Sequence, residues 1–195
     1  MKKIASRITA QQALQWLMEG NRKFCEEHYD VHPTMSEIKE LVAGQHPFAA
    51  IVACADSRVP PNEIFDCDLG EIFVVRTAGN VVGEFELGSV EYAVEHLGCP
   101  LVMVLGHRNC GAVAGASSWT GGTGALAAIM DEVMPSMRRA RAEAADEKQA
   151  ISLAELYNVD NSLCRLRESE CLRALPDGAI VGAMYDISTG RVEAI

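Results

Sequence analysis

Residues 72–105 read "IFVVRTAGNVVGEFELGSVEYAVEHLGCPLVMVL", and this stretch decides the fold. "IFVV" (72–75) and "LVMVL" (101–105) are short apolar runs rich in Val and Ile. Neither alternates between polar and apolar residues, so each is expected to be a strand buried on both faces. Between them, "ELGSVEYAVEHLG" (86–98) sets Leu87, Val90, Ala93, Val94 and Leu97 at helical spacing, with Gly98 as a stop. Strand, helix, strand predicts a parallel sheet in an α/β fold.

Working outward, "FAAIVA" (48–53) is a strand of the same kind. Upstream, "TAQQALQWLMEGNRKF" predicts an amphipathic helix opened by a Thr9/Gln12 capping box. "SEIKELVAG" predicts a short second helix, with Ser36 as its N-cap and Gly44 as its stop. Both helices precede the first strand and cannot be sheet crossovers. They are expected on the outside or on a partner subunit. From about 123 to 174 the chain is rich in Ala, Glu, Arg and Leu and reads as helical, with Pro135 kinking or starting a helix. "AIVGAMYDISTGRVEAI" closes the chain as strand, turn and strand. No repeat or linker interrupts it. The expectation is one domain over 1–195: a helical arm at 1–45, and at 46–195 a core with a central, mainly parallel β-sheet flanked by helices.

The composition, 49% hydrophobic and 23% charged, is that of an ordinary globular protein. A net charge of −10 argues against nucleic-acid and anionic-membrane partners, both of which need basic patches. "MKKIASRITAQQ" has two lysines but no apolar segment behind them, which suggests a cytoplasmic protein. Cys25, Cys54, Cys67, Cys99, Cys110, Cys164 and Cys171 are odd in number and irregular in spacing. They read as free thiols, some of them buried and some of them metal ligands.

Two strands end in metal-competent residues. The first gives "IVACADSRVPP" (51–61) and the third gives "GHRNCG" (106–111). Ligands of open α/β sheets bind beyond the carboxyl ends of the strands, at the switch point. Neighbouring strands there would bring Cys54, His107 and Cys110 together. Two thiolates and an imidazole select zinc, and three protein ligands with a fourth position open mark a catalytic ion. Taken alone, His-x-x-Cys fits a buried histidine and a small core thiol equally well. Cys67, in a loop, stays open as a fourth ligand. Cys25, Cys99, Cys164 and Cys171 lie in or beside helical or turn segments and are expected to be non-ligands. Asp56 follows the first thiol by two residues, and Arg58 can hold its carboxylate bidentately. Pinned in this way, Asp56 would stay ionised and aim at the fourth zinc position, accepting a hydrogen bond from zinc-bound hydroxide. In a closed form it would bind the zinc itself.

"CADSRV" with "GHRNCGAV" resembles the β-class carbonic anhydrases. The resemblance extends through "GQHPF", "GEIFVVRTAGNVV", "GSVEYAVEHLG" and "VGAMYDISTGRVE", over about residues 10 to 195. It implies zinc-dependent, reversible hydration of carbon dioxide to bicarbonate and a proton. The zinc, one ion per chain, would be held by Cys54, His107 and Cys110, with Asp56 and Arg58 as the dyad. Gln45, Phe73, Tyr92 and Gly111 match substrate-binding positions. Gln45, Phe73 and Tyr92 would come from the neighbouring subunit, in a dimer or a dimer of dimers. Ile51 stands where one branch of the family carries a tryptophan of an inhibitory bicarbonate site, so the non-allosteric branch is expected. Arg76 matches an arginine found in both branches. The well-known zinc-bound water of pKa about 7 belongs to a carbonic anhydrase with three histidine ligands. Two thiolates cancel more of the ion's charge, so activity here is expected to rise toward alkaline pH. No proton shuttle is evident, and His28 and His32 qualify by residue type alone. Hydrolysis of carbonyl sulfide or carbon disulfide on the same scaffold is an alternative. So is a non-catalytic zinc-binding assembly protein, although this chain has lost neither a ligand nor the dyad.

Overall fold

The computed structural model describes residues 8–28 and 34–195. Its centre is a five-stranded sheet in the order β2-β1-β3-β4-β5. The strands are β1 (Ala49–Cys54), β2 (Ile72–Thr77), β3 (Val102–His107), β4 (Ile180–Asp186) and β5 (Arg191–Ala194). The first four strands run parallel, and β5 returns antiparallel to β4. Every residue of β1 and β3 is buried, as their unbroken apolar runs require. Successive β1 side chains enter opposite layers. Ala49, Ile51 and Ala53 face one core, and Ala50 and Val52 face the other.

The helices follow from right-handed crossovers. From β1 the chain steps outward to β2 through α3 (Pro61–Ile64). It then returns over β1 to β3 through α4 (Glu84–Glu95), and reaches β4 by way of α5 (Gly111–Ala116), α6 (Ala125–Glu143) and α7 (Glu147–Arg167). Because the direction of winding reverses between β1 and β3, α3 lies on one face while α4 and α7 lie on the other. The switch point therefore falls between the ends of β1 and β3. Gly106 lets α7 sit close against β3: a Cβ there would lie 2.4 Å from Val159 Cγ2.

α1 (Ala10–Cys25) opens with the expected capping box. Thr9 Oγ1 accepts from Gln12 N at 3.2 Å, and Gln12 Oε1 accepts from Thr9 N at 2.9 Å. Its apolar face then covers its own sheet. Ala13 and Leu17 are fully buried, and Trp16 packs edge-on against Phe48 at 5.4 Å. Buried Asn21 donates to Gly190 O at 2.8 Å and accepts from Val192 N at 2.9 Å, fastening the helix to β5. α1 thus covers the sheet of its own chain. The next helix, α2 (Met35–Glu40), starts one residue before the expected Ser36 cap and tightens into a 3-10 turn, Leu41–Ala43. α6 continues past Pro135 without interruption, and the helical region breaks at Ala144, before Asp146 caps α7. Among the described residues, no helix is long and apolar enough to cross a membrane.

Candidate metal centre

β1 delivers Cys54 and β3 delivers His107 at the switch point, and the turn after β3 brings Cys110 back to both. The ligand atoms of the three residues all lie within 4.8 Å of one another. Cys54 Sγ and Cys110 Sγ are 4.0 Å apart, close to the roughly 3.8 Å spanned by two thiolates on one tetrahedral zinc with bonds of about 2.3 Å. His107 Nδ1 donates to Arg108 O at 3.0 Å, which leaves Nε2 with its lone pair. That nitrogen is buried and has no hydrogen-bond partner among the described residues. An orphaned buried acceptor is costly, and a cation between it and the two sulfurs satisfies it.

The surroundings favour thiolate. Cys54 is held well below the ordinary thiol range, first by its hydrogen bond with Cys110, against the effect of burial. The backbone N–H groups of Asp56 and Gly79 add to this, donating to Cys54 Sγ at 3.4 and 3.3 Å. Cys110 is pushed up by the same pairing. Two buried thiols sharing one proton are what a divalent ion replaces.

Beside them, Asp56 Oδ1 accepts from Arg58 N and Nε, both at 2.9 Å, and Oδ2 accepts from Nη2 at 2.7 Å. Arg58 also donates to Asn109 O at 3.2 Å, bridging the two ligand-bearing loops. These bonds hold the Asp56 carboxyl well below the usual carboxylate range despite its partial burial. Asp56 Oδ2 lies 4.0 Å from His107 Nε2, at the mouth of the ligand set but outside it.

The sequence model of the carbonic anhydrase family matches residues 49–192. The chain belongs to this family. It is 38% identical over 183 residues to "Carbonic anhydrase 2" of Mycobacterium tuberculosis, covering 90% of this chain and 87% of the relative. It is also 38% identical over 188 residues to a carbonic anhydrase of Mycolicibacterium smegmatis, covering 91% and 89%. Among solved structures, a tetrameric β-carbonic anhydrase of Sordaria macrospora superposes with a TM-score of 0.74 at 25% identity, covering 95% of this chain and 93% of that one. A Coccomyxa β-carbonic anhydrase in complex with acetazolamide gives 0.74 at 27% identity, covering 93% and 86%. The protein is a carbonic anhydrase of β-class fold, and its Cys54, His107 and Cys110 donor set fits zinc.

Not every residue expected in a carbonic anhydrase site meets these ligands within the chain. Gly111 does, opening α5 next to Cys110. Phe73 pairs in register with Ala50, four residues before Cys54, hence about 13 Å down the strand. Its ring lies 6.2 Å from that of Tyr92, which is 48% exposed, and Gln45 is exposed as well. Cys67 is buried elsewhere, donating to Phe65 O at 3.3 Å, and does not join the ligand group. Cys25, Cys99, Cys164 and Cys171 also stand outside it. His28 is exposed, and His32 lies outside the described residues.

Sequence reading missed two supports of the carbonic anhydrase centre. Arg76, weighed only as a branch marker, donates to Cys54 O at 2.9 Å and to Asp56 O at 2.5 Å, clamping the loop between ligand and dyad. The other is a polar stripe on α7, consisting of Glu155, Asn158 and Ser162. Glu155 accepts from Cys110 N, Asn158 donates to Gly79 O at 2.6 Å, and Ser162 donates to Asn80 O at 2.9 Å. The signal was present: three polar residues at helical spacing on a face otherwise filled by Ala154, Val159, Leu163 and Leu166.

Proposed function

We propose that this carbonic anhydrase hydrates carbon dioxide reversibly to bicarbonate and a proton at a single zinc per chain, held by Cys54, His107 and Cys110. The observation that carries the reading is the unpartnered Nε2 of His107 between two thiols, with an ionised carboxylate beside it. Zinc would supply Lewis acidity there, lowering the pKa of a water molecule so that it becomes nucleophilic as pH rises. Asp56 accepts a hydrogen bond from the attacking water and so fixes its lone pair toward the substrate carbon. Arg58 keeps that carboxylate ionised and aimed, and its exposure means that it acts through orientation more than through stability. If the pair opened, the Asp56 carboxylate would be free to serve as a fourth metal ligand, which would close the site.

Gln45, Phe73, Tyr92 and Gly111 are assigned to substrate by resemblance. The exposed Tyr92 and Gln45 suit residues offered to a neighbour's site, in a homodimer or homotetramer. Ile51, fully buried in an apolar layer, supports the non-allosteric branch. Seven free cysteines suit a reducing, cytoplasmic setting. Parallel assays of one zinc-loaded preparation test the reading. Carbon dioxide hydration should dominate, whereas turnover of carbonyl sulfide with no hydration would reject it.

A further inference from the structure

Glu155 is 5% exposed, sits on α7, and has no part in the ligand and dyad roles above. Its Oε1 accepts from Cys110 N at 3.2 Å, and its Oε2 faces Arg108 Nη1 at 3.4 Å. The same guanidinium nitrogen donates to Ser152 O at 2.9 Å, so Arg108 is tied twice to α7. Arg108 O in turn accepts from His107 Nδ1, the bond that fixes which ring nitrogen is free for metal. Asn109, between them, has a left-handed φ of 58°, and its backbone N–H also faces the Glu155 carboxylate. Successive N–H groups turned toward one anion form a nest. Burial pushes Glu155 up from its ordinary value, against the pull of these donors. A buried carboxylate is a poor choice for stability alone, because an apolar side chain would fill the same space without its desolvation penalty. Its placement opposite the ligand turn is what distinguishes it.

We propose that Glu155 is a positioning residue for the metal centre, presetting the His107–Cys110 turn through the Cys110 N–H and the Arg108 guanidinium. The inference rests on the zinc reading above. It predicts that removing the carboxylate weakens the metal site more than it weakens the fold.

Zinc affinity is to be measured by competition with a chromophoric chelator, and ligand geometry by the electronic spectrum of the cobalt(II)-substituted protein. Glu155→Ala should lose about 10–100-fold in zinc affinity, the usual range for groups that orient metal ligands. Glu155→Gln, nearly the same shape, can turn its one oxygen to the Cys110 N–H or to Arg108 but not to both. It should lose about tenfold, the low end of that range, and shift the cobalt bands. Leu163→Ala on the same helix should lower thermal stability with zinc affinity unchanged. Wild-type affinity and an unaltered cobalt spectrum in Glu155→Gln would overturn the proposal. So would a Leu163→Ala loss of zinc as large as that of Glu155→Gln. Should Glu155→Ala not fold, Glu155→Gln decides. A wild-type protein that takes up no zinc would refute the zinc reading itself, a result distinct from failure at Glu155.

Discussion

Arg58 meets Asp56 with three N–H groups, and this geometry makes the two residues one unit. Asp56→Asn should keep its zinc, because the three ligands are untouched. Its hydration rate should fall about 100-fold or more, since an amide is a weaker acceptor and pairs poorly with Arg58. Arg58→Ala should also slow hydration by freeing the carboxylate. The two losses, read from stopped-flow rates, should be far from additive. A double variant whose loss equals the sum of the single losses in free energy would mean that the residues act separately. The pair also fixes a pH dependence. Asp56 is depressed in the folded state, so what the pair adds to stability is complete above the ordinary carboxylate pKa of about 3.9, and is lost as pH falls through the folded value. The stability gap between wild type and Asp56→Asn, from denaturant midpoints, should stay constant from neutral pH down to about 5 and shrink below that. A gap that closes between pH 8 and 6 would contradict this. Any change in hydration rate between pH 6 and 9 must then arise from another group. At this scale the ligands and dyad were legible, because a thiol, an acid and a base at a strand end have few bland explanations together. Arg76 and Glu155 were not, because a single charge has many, and only the register Ala53↔Arg76 and the facing of α7 reveal what each one holds.

Among the elements, α1 lies close against the segment it covers. Gly20 lets this helix lie against the chain after α3: a Cβ there would fall 1.8 Å from Phe65 O, a backbone atom that cannot step aside. Gly20→Ala should destabilise the protein by roughly 1–3 kcal/mol, the range for overpacking, in urea unfolding of the zinc-loaded protein. Wild-type stability in that variant would mean that α1 is not seated there. The strands and α4 were legible because apolar period and stop signals agreed. The seating of α1 on its own sheet was not legible in the sequence, for a physical reason. A helix ahead of the sheet need not be a crossover to cover it, and Asn21 locks it to β5 through contacts far apart in sequence. The break between α6 and α7 was hidden because Ala144 and Ala145 are good helix formers, and only Asp146 accepting from Gln149 N marks the restart. Pro135 did not start the helix. A chain already packed by Met130, Val133 and Met137 tolerates one missing backbone bond.

For the molecule as a whole, the chain leaves Phe85 at 89% and Val42 at 86% exposure, with Tyr92 beside a half-buried Phe73. Apolar surface of this kind suits a second copy, which would bring Gln45, Phe73 and Tyr92 to a neighbouring centre. Phe85→Glu should therefore shift sedimentation toward monomer and lower hydration together, leaving zinc content unchanged. A monomeric variant with full activity would remove the neighbour from the mechanism. Sequence showed the sheet and its ligand end, because two unbroken apolar runs stop at a thiol and at a histidine. It did not show which apolar residues remain uncovered, since that depends on the finished surface.

In the proposed function, one zinc held by Cys54, His107 and Cys110 makes this protein a carbon dioxide hydratase. The direct measurement is a titration of metal-free protein with zinc, following the carbon dioxide hydration rate. The rate should climb linearly from near zero and break sharply at one zinc per chain. Hydration that does not depend on zinc, or no hydration at any zinc level in folded protein, would contradict the zinc mechanism.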